Sequence, residues 1–440
     1  QQQLVDQAQA AAQRTGEGVR EAWRRFSVGL RRRFRPLTRD LLRDLRAALP
    51  LDELEPKEVL GRYDQAALNT AHFEQLPFIY QKLFAFTPLE TDDFLVACEE
   101  EKALFHLALR RWKNGEPTPV GLIGEPGSGI SSFLRTLQRQ VKAIPVHQVT
   151  FTQMPSSEEA LVRLLARRMG LPRAHNLDEL ARLILSGAGT DTGSGRSVVM
   201  LEDVHRLYRR APGGFDLLRG LLLLIATTGA RVLWVLSMNQ HAWDYLNAVV
   251  YLADTVAFTI PLKPLTRETL EESIMARHRF SGLDLHFLPS DTMAQRRAYR
   301  RVTDEEKQAM NRTAFFDQLY RLSDGNPLAG LFFWRKAIAD VEEHQITIRP
   351  LTRPLFGYVR GLDVNALLTV VVVLQQGVLT VEDHARLFGL PAAESHALLM
   401  HLTALHLLTR HDRTAPVTFQ LNTPIYKPLV RELEALNLPV

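Results

Sequence analysis

The sequence predicts an α/β fold built on a parallel β-sheet, followed by a helical region and a small C-terminal domain. Short apolar runs alternate with helical segments from Val120 onward, a glycine-rich loop follows the first run, and the pattern turns helical after Ile260. Apolar runs without polar alternation are typical of strands buried on both faces. We therefore predict five parallel strands, at Val120–Ile123, Val146–Phe151, Val198–Leu201, Val232–Leu236 and Thr255–Ile260.

Helices are expected between these strands, and changes in pattern divide the chain into four parts. A chain of 440 residues with 46% apolar residues is long enough for several domains. The predicted helices of the core are Ser132–Lys142, Glu158–Met169 and Phe215–Thr228. The predicted parts are a basic helical N-terminal arm at 1–75, the α/β core at 76–262, a helical lid at 263–350 and a C-terminal domain at 351–440.

Positive charge is concentrated at the start of the chain. Residues 1–50 contain eleven arginines, between positions 14 and 46, against five acidic residues, whereas the whole chain has a net charge of +4. Such an arm suits nucleic acid, an anionic membrane surface or an acidic protein, and a solvated helix is weighed equally. One cysteine and no long apolar run indicate a cytoplasmic protein, with attachment to a membrane surface left open.

A glycine loop joins the first predicted strand to a helix. Gly124-Glu-Pro-Gly-Ser-Gly-Ile-Ser-Ser132 follows strand Val120–Ile123 directly. Glycines in this context let backbone N–H groups surround a phosphate at the start of a helix. The pattern requires a lysine before the hydroxyl residue, and this chain has Ile130 there. The candidate phosphate-binding residues are Gly124, Gly127, Gly129, Ile130, Ser131 and Ser132.

Polar residues end the third and fourth predicted strands. Glu202 and Asp203 follow Val198–Leu201, where carboxylates hold magnesium and polarise a water molecule in phosphoryl-transfer proteins. Asn239 ends the fourth strand, where it can contact a γ-phosphate or act only as a turn residue, and both interpretations have equal weight. These three residues are the candidate catalytic residues if the protein is an active enzyme.

Together, these motifs resemble those of AAA+ and STAND ATPases over roughly residues 90–430. Leu201-Glu-Asp-Val-His-Arg-Leu207 resembles the third-strand signature of both groups, and Asp324-Gly-Asn-Pro-Leu-Ala329 resembles the GxP motif of STAND ATPases. The resemblance implies a P-loop NTPase core, a helical lid and a winged helix. It also implies that Pro327 lies at the nucleotide, and that ATP or ADP binds with magnesium held by Ser131 and Glu202.

The chain departs from that resemblance at four places. Ile130 replaces the P-loop lysine, Leu328 stands where many AAA+ proteins have a sensor arginine, and residues 232–262 contain no lysine or arginine for an arginine finger. The adenine-side motif is replaced by Val96-Ala-Cys-Glu-Glu100. Because catalysis of phosphoryl transfer is mostly positioning and charge stabilisation, these losses predict a pseudo-ATPase. Binding of ATP or ADP and binding of neither nucleotide are equally plausible.

The C-terminal part has the pattern of a winged helix. We predict helices at Asn365–Leu374, Val381–Phe388 and Ala392–Leu407, followed by a β-wing at Thr409–Leu421. In DNA-binding versions the third helix needs basic or amide side chains to contact base edges. Residues 391–407 contain no lysine or arginine, so a role in packing or protein contact is favoured.

Three functions remain open. The first is a catalytically degenerate AAA+/STAND-like subunit that acts as a scaffold or regulator through protein partners or as a homo-oligomer. The second is an active or slow ATP-dependent switch in which a cation from elsewhere replaces Ile130. The third is a DNA-associated adaptor in transposition, replication or defence that uses residues 14–46. ATP turnover separates the first two, and salt-dependent DNA binding tests the third.

Overall fold

A computed structural model describes the chain from residue 71 to residue 438 with short gaps. The described ranges are 71–88, 98–142, 144–188, 195–211, 213–342, 344–351, 356–412 and 416–438. Most of the predicted basic arm, the start of the predicted adenine-side segment and the middle of the Gly/Ser/Thr-rich loop at 186–196 lie outside these ranges. Within them, no helix is both long and apolar enough to span a bilayer.

Five parallel strands form the central sheet, as the sequence predicts. Their order is β2-β3-β4-β1-β5, so β4 separates β1 from β3. All residues of β1, β3 and β4 are buried, because helices cover both faces of the sheet. The strands are β1 (Val120–Gly124), β2 (Val146–Thr150), β3 (Ser197–Glu202), β4 (Val232–Asn239) and β5 (Phe258–Pro261).

Within the described residues, eight α-helices precede or connect these strands. The fifth has a standard N-cap, in which the Ser157 side chain accepts a hydrogen bond from the N–H of Ala160, and it ends at Gly170 in the left-handed conformation. The helices are α1 (Ala71–Glu74), α2 (Phe78–Leu83), α3 (Glu99–Lys113), α4 (Ile130–Gln140), α5 (Glu158–Met169), α6 (Leu177–Ser186), α7 (Asp216–Thr228) and α8 (Gln240–Val250).

The region after the core contains four α-helices, as expected of a helical lid, and also a small sheet that the sequence did not predict. Its helices are α9 (Arg267–Arg279), α10 (Asp291–Ala294), α11 (Asp304–Ser323) and α12 (Pro327–Ala337). The sheet has the order β6-β8-β7, with β6 (Asp284–Phe287), β7 (Ile338–Val341) and β8 (Gln345–Ile348). Each strand has only four residues, which is too short for periodicity to distinguish it from a turn of helix.

The segment before the core packs into the lid. Phe73, Tyr80 and Phe84 are buried in the same hydrophobic cluster as Phe316 and Trp334. The Trp334 indole donates a hydrogen bond of 3.1 Å to the Tyr80 hydroxyl. The predicted boundary at residue 76 assigned most of this segment to the core, whereas its buried side chains belong to the lid cluster.

The C-terminal part contains four α-helices, a short strand and an antiparallel hairpin. Its helices are α13 (Val364–Gln376), α14 (Val381–Phe388), α15 (Ala392–Ala404) and α16 (Tyr426–Ala435). Its antiparallel sheet has the order β10-β11-β9, with β9 (Val378–Leu379), β10 (Leu408–His411) and β11 (Thr418–Leu421). A separate apolar cluster, which includes Val370, Leu399 and Phe419, forms its core.

Candidate functional site

The glycine loop connects the end of β1 to the start of α4. Gly127 and Gly129 have φ angles of +83° and +93°, a region that side chains disfavour, so glycine is needed at both positions. The N–H groups in the first turn of an α-helix have no hydrogen-bond acceptor within the helix. In this chain the first turn begins at Ile130 and Ser131, directly after the glycine loop. This backbone geometry suits an anion. The core has the P-loop NTPase fold.

The side chains of this P-loop supply no positive charge. Ile130 lies over the start of the loop, since a Cβ added at Gly124 would be 3.1 Å from its Cδ1. Ser131 is half-buried, Ser132 is buried, and the Ser128 hydroxyl is buried without a hydrogen-bond partner in the described structure. The loop therefore has the shape of a phosphate site but lacks the ammonium group that would neutralise a phosphate.

Glu202 is hydrogen-bonded to the strand on the side away from the P-loop. Its Oε2 accepts hydrogen bonds from Thr150 Oγ1 at 2.8 Å and Gln148 Nε2 at 3.3 Å, both on β2. Asp203, in the left-handed conformation, pairs with Arg206 at 3.0 Å. Burial raises the pKa of the Asp203 carboxyl, and the Arg206 charge opposes that rise. Both candidate catalytic acids thus have protein partners.

Asn239 lies beside the P-loop at the end of β4, opposite Gly124 in the strand register. Its Oδ1 accepts a hydrogen bond of 2.7 Å from the N–H of Ala242 and so caps α8. Its Nδ2 donates to the Leu374 carbonyl of α13 at 3.1 Å. Both polar atoms of the Asn239 amide are therefore used within the protein, one to cap α8 and the other to contact the C-terminal domain.

The lid contacts the P-loop through the segment that contains Pro327. Pro327 is the first residue of α12, and Asn326 caps that helix. The Asn326 Nδ2 donates to the Pro126 carbonyl at 2.9 Å, and the N–H of Leu328 donates to the Gly127 carbonyl at 3.2 Å. A Cβ on Gly127 would lie 2.8 Å from the Leu328 Cβ, so the two segments are in tight contact.

The C-terminal domain also reaches the P-loop, through a buried lysine that the sequence analysis missed. Lys427 Nζ lies 2.5 Å from Glu125 Oε1 and 3.3 Å from Asp324 Oδ2, and its side chain is 9% exposed. Arg431 approaches Asp324 at 3.9 Å. We call Glu125, Asp324, Lys427 and Arg431 the clasp. Its two carboxylates and two cations are balanced, and they join core, lid and C-terminal domain.

The residues present fit a nucleotide in backbone shape but not in charge. Glu125 places a carboxylate on the loop itself, and the nearby Lys427 is already paired with two acids. Among the described residues, no group of three or more His, Cys, Asp or Glu side chains is arranged to hold a metal ion. Within the described part of the chain, the loop therefore forms an anion cradle whose own side chains carry no cation.

No protein-family model matches the chain. The pantothenate kinase of Halalkalibacterium halodurans is 26% identical over 232 residues, which cover 51% of this chain and 67% of that protein. This likeness is too distant to assign a family.

The similar solved structures include three proteins at low identity. ORC2 of Aeropyrum pernix is 15% identical, with a TM-score of 0.36, over 81% of this chain and 96% of its own. Cdc6p of Pyrobaculum aerophilum is 15% identical, with a TM-score of 0.37, over 81% of this chain and 97% of its own. The RuvB Holliday junction branch migration motor of Thermotoga maritima is 15% identical, with a TM-score of 0.35, over 81% and 100%. These values support no transfer of ligand or activity.

Proposed function

We propose that this chain is a catalytically degenerate AAA+/STAND-like subunit that acts as a scaffold or regulator, with its P-loop serving as a contact point between domains. The main support is that the lid and the C-terminal domain both contact the loop, through Leu328 and Lys427 respectively. In addition, Ile130 occupies the position of the phosphate-binding lysine. The protein partner, or a second copy of the chain, would bind the surfaces that this closed arrangement presents.

Electrostatics supports the absence of turnover. In P-loop enzymes nearly all the rate acceleration comes from positioning and from cations that stabilise the transferring phosphoryl group, and loss of one such group costs about 100-fold or more in rate. In this chain Ile130 contributes no positive charge, and Glu125 adds a negative charge that Lys427 balances. ATP or ADP, with magnesium at Ser131 and Glu202, would have to bind through the backbone cradle alone.

A slow ATP-dependent switch is the second candidate, because Lys427 is a cation already at the loop. In that mechanism the Lys427 ammonium leaves Glu125 for the phosphates of ATP, and so replaces the lysine that is missing at position 130. Release of Lys427 from Asp324 would at the same time free the C-terminal domain from the lid. Nucleotide binding and domain opening would then be one event.

DNA and anionic membranes stay as proposed partners of residues 14–46, which lie outside the described residues. Exposed positions of α15 are not basic, since that helix contains no lysine or arginine. A DNA-associated adaptor for transposition, replication or defence would therefore depend on the arm. Binding of duplex DNA, or of anionic vesicles, that weakens with salt and is lost on deleting residues 1–50 would identify the ligand of that arm.

Calorimetric titration and phosphate release test the proposal on the whole chain. ATP and ADP are titrated with magnesium into the native protein and into Ile130→Lys, Glu202→Gln and Lys427→Ala variants. We expect no phosphate release by the native chain above that of Glu202→Gln. Turnover that Glu202→Gln abolishes would overturn the pseudo-ATPase, and additional loss of turnover in Lys427→Ala would establish the lysine-dependent switch.

A further inference from the structure

A second group of charged side chains joins the core to the C-terminal domain, away from the P-loop. Arg209 and Arg210 follow the short 3-10 helix after β3, whereas Asp383 and Arg386 lie on α14. Together with Ala211, Gln376 and Leu387 they line a cavity of about 20 Å³ that opens to solvent. We call this cavity the arginine pocket.

The arginine pocket has an excess of positive charge. Asp383 Oδ1 lies 3.2 Å from Arg209 Nε and 3.8 Å from an Arg386 terminal nitrogen, so two guanidinium groups share one carboxylate. Arg210 adds a third guanidinium. Two other groups of four charges are balanced: the clasp, and the lid cluster of Glu271, Asp317, Arg267 and Arg312. The pocket retains two uncompensated positive charges.

Arg210 is held in place by uncharged groups. Its guanidinium carbon lies 4.0 Å from the centre of the Tyr245 ring, and a terminal nitrogen donates to the Gln375 side chain. Its Nε is buried and has no hydrogen-bond partner in the described structure. A buried donor without an acceptor costs free energy, so Arg210 contributes its charge to the cavity at the expense of one unmade hydrogen bond.

We propose that the arginine pocket binds a phosphate-type oxyanion and thereby ties the C-terminal domain to the core. A guanidinium group presents paired N–H donors that match the oxygens of phosphate. The cavity has room for about one water-sized group, so one oxygen enters while the others stay at the mouth. Arg209 and Arg386 are 41% and 60% exposed and can turn towards an anion there.

Such an anion would favour the closed arrangement of the two domains. Since Arg209 and Arg210 belong to the core and Arg386 to the C-terminal domain, an oxyanion that contacts both sides binds only while they are together. A ligand that binds the folded, closed form raises its stability with concentration. This regulation is separate from the P-loop and does not depend on nucleotide turnover.

Calorimetry and thermal unfolding with inorganic phosphate, pyrophosphate and ADP, at constant ionic strength, test the proposal. We expect saturable binding of phosphate or pyrophosphate, a rise in Tm, and about a tenfold or greater loss of affinity in Arg209→Gln/Arg386→Gln. Arg163→Gln is the matched control, because Arg163 is an exposed arginine paired with Glu159 outside any such pocket. It should bind as the native chain does.

Two arms distinguish the pocket from the P-loop and free phosphate from a nucleotide. Gly129→Val places a branched side chain on the P-loop, at a position where an added Cβ meets nothing within 4 Å, and should leave pyrophosphate binding to the arginine pocket unchanged. Binding of ADP but of neither inorganic anion, or loss of pyrophosphate binding in Gly129→Val alone, would overturn the proposal. An absence of saturable binding of all three probes to the native chain would overturn it too, as would unchanged affinity in the double arginine variant.

Discussion

The clasp and the arginine pocket both join the core to the C-terminal domain, and the clasp also includes the lid, but their charges are arranged differently. In the clasp the lysine is 9% exposed and two cations face two carboxylates. In the arginine pocket three guanidinium groups share one carboxylate and two of them are at least 41% exposed. Balanced charges around a buried lysine stabilise one arrangement, whereas surplus charges at a solvent-open cavity suit a ligand.

The P-loop of this chain differs from that of an active enzyme in where the positive charge lies. In an active P-loop enzyme the surplus positive charge lies at the glycine loop, where phosphate binds. In this chain that loop is neutralised and the surplus lies at the other interface. We call the contact of residues 205–211 with residues 375–387, which includes the arginine pocket, the second interface. Substitutions in the clasp and in the second interface test which of the two contributes more to the free energy of unfolding.

The largest effect is expected from Lys427→Ala. Removal of the ammonium leaves the carboxylates of Glu125 and Asp324 without their shared partner, which should lower the free energy of unfolding by about 3 kcal/mol. Urea unfolding measures the change. Lys263→Ala is the matched control, because its pair with Glu100 at 2.8 Å is exposed, and its unfolding midpoint should not move measurably. Equal effects would show that the clasp does not hold the domains.

Contact between lid and P-loop is tested by alanine at two glycines with similar backbone angles. Gly127 and Gly129 both have positive φ, so both substitutions strain the backbone by about 1–2 kcal/mol. Only Gly127→Ala adds a clash, because its Cβ meets Leu328 at 2.8 Å, whereas Gly129 has nothing within 4 Å. We expect Gly127→Ala to be less stable than Gly129→Ala by about 2 kcal/mol in urea unfolding.

Equal stability of these two variants would mean that the lid does not rest on the loop in solution. Limited proteolysis adds a readout of domain contact. The linker before α9 should be cut faster in Gly127→Ala than in Gly129→Ala, because only the former pushes the lid away from the loop.

The central sheet could be predicted because buried parallel strands form long apolar runs that end at recognisable glycine or acidic residues. Val120, Val198 and Val232 each begin or nearly begin a strand of the structure. The lid sheet could not be predicted, because its strands are only four residues long. In addition, β7 follows α12 at Ala337–Ile338 without a helix-breaking residue. Only tertiary pairing with β8 makes those residues a strand.

The glycine loop was visible in the sequence, but the clasp was not. Lys427 is 302 residues from Glu125, and a single sequence gives no signal for a contact of that separation. A signal did exist in Glu125 itself, since a carboxylate on a phosphate loop demands a nearby cation. The sequence also showed Asn239 and Pro327 as candidates. The Leu374 carbonyl that Asn239 contacts, and the P-loop carbonyls contacted by Asn326 and Leu328 on either side of Pro327, appear only in the folded chain.

Acid should weaken the second interface through His205. This residue is buried beside Gly377, where an added Cβ would lie 2.9 Å from its Cδ2. Burial, helped by the nearby Arg206, lowers the pKa of His205 to about 3. Between pH 6.5 and 3 the unfolded chain binds a proton at His205 that the folded chain does not. The free energy of unfolding should therefore decrease by about 1.4 kcal/mol for each unit by which the pH is lowered.

Urea unfolding at pH 6, 5 and 4 measures this dependence. His205→Asn should reduce the slope of stability against pH by about one proton in that window. His396→Asn, at an exposed position on α15, is the control and should keep the slope of the native chain. An unchanged slope in His205→Asn would show that the ring is not kept neutral by burial at this interface.

The smallest effect is expected from Tyr208→Phe, which removes a hydroxyl group and its hydrogen bonds to Gln375 and Arg210. The Tyr208 hydroxyl donates to the Gln375 carbonyl at 2.9 Å, and the ring is 2% exposed. Its loss should lower the free energy of unfolding by about 1 kcal/mol. Tyr251→Phe, at a ring that is 67% exposed, should have no measurable effect. A loss for Tyr208→Phe as large as that for Lys427→Ala would mean that the second interface, and not the clasp, holds the C-terminal domain on the core.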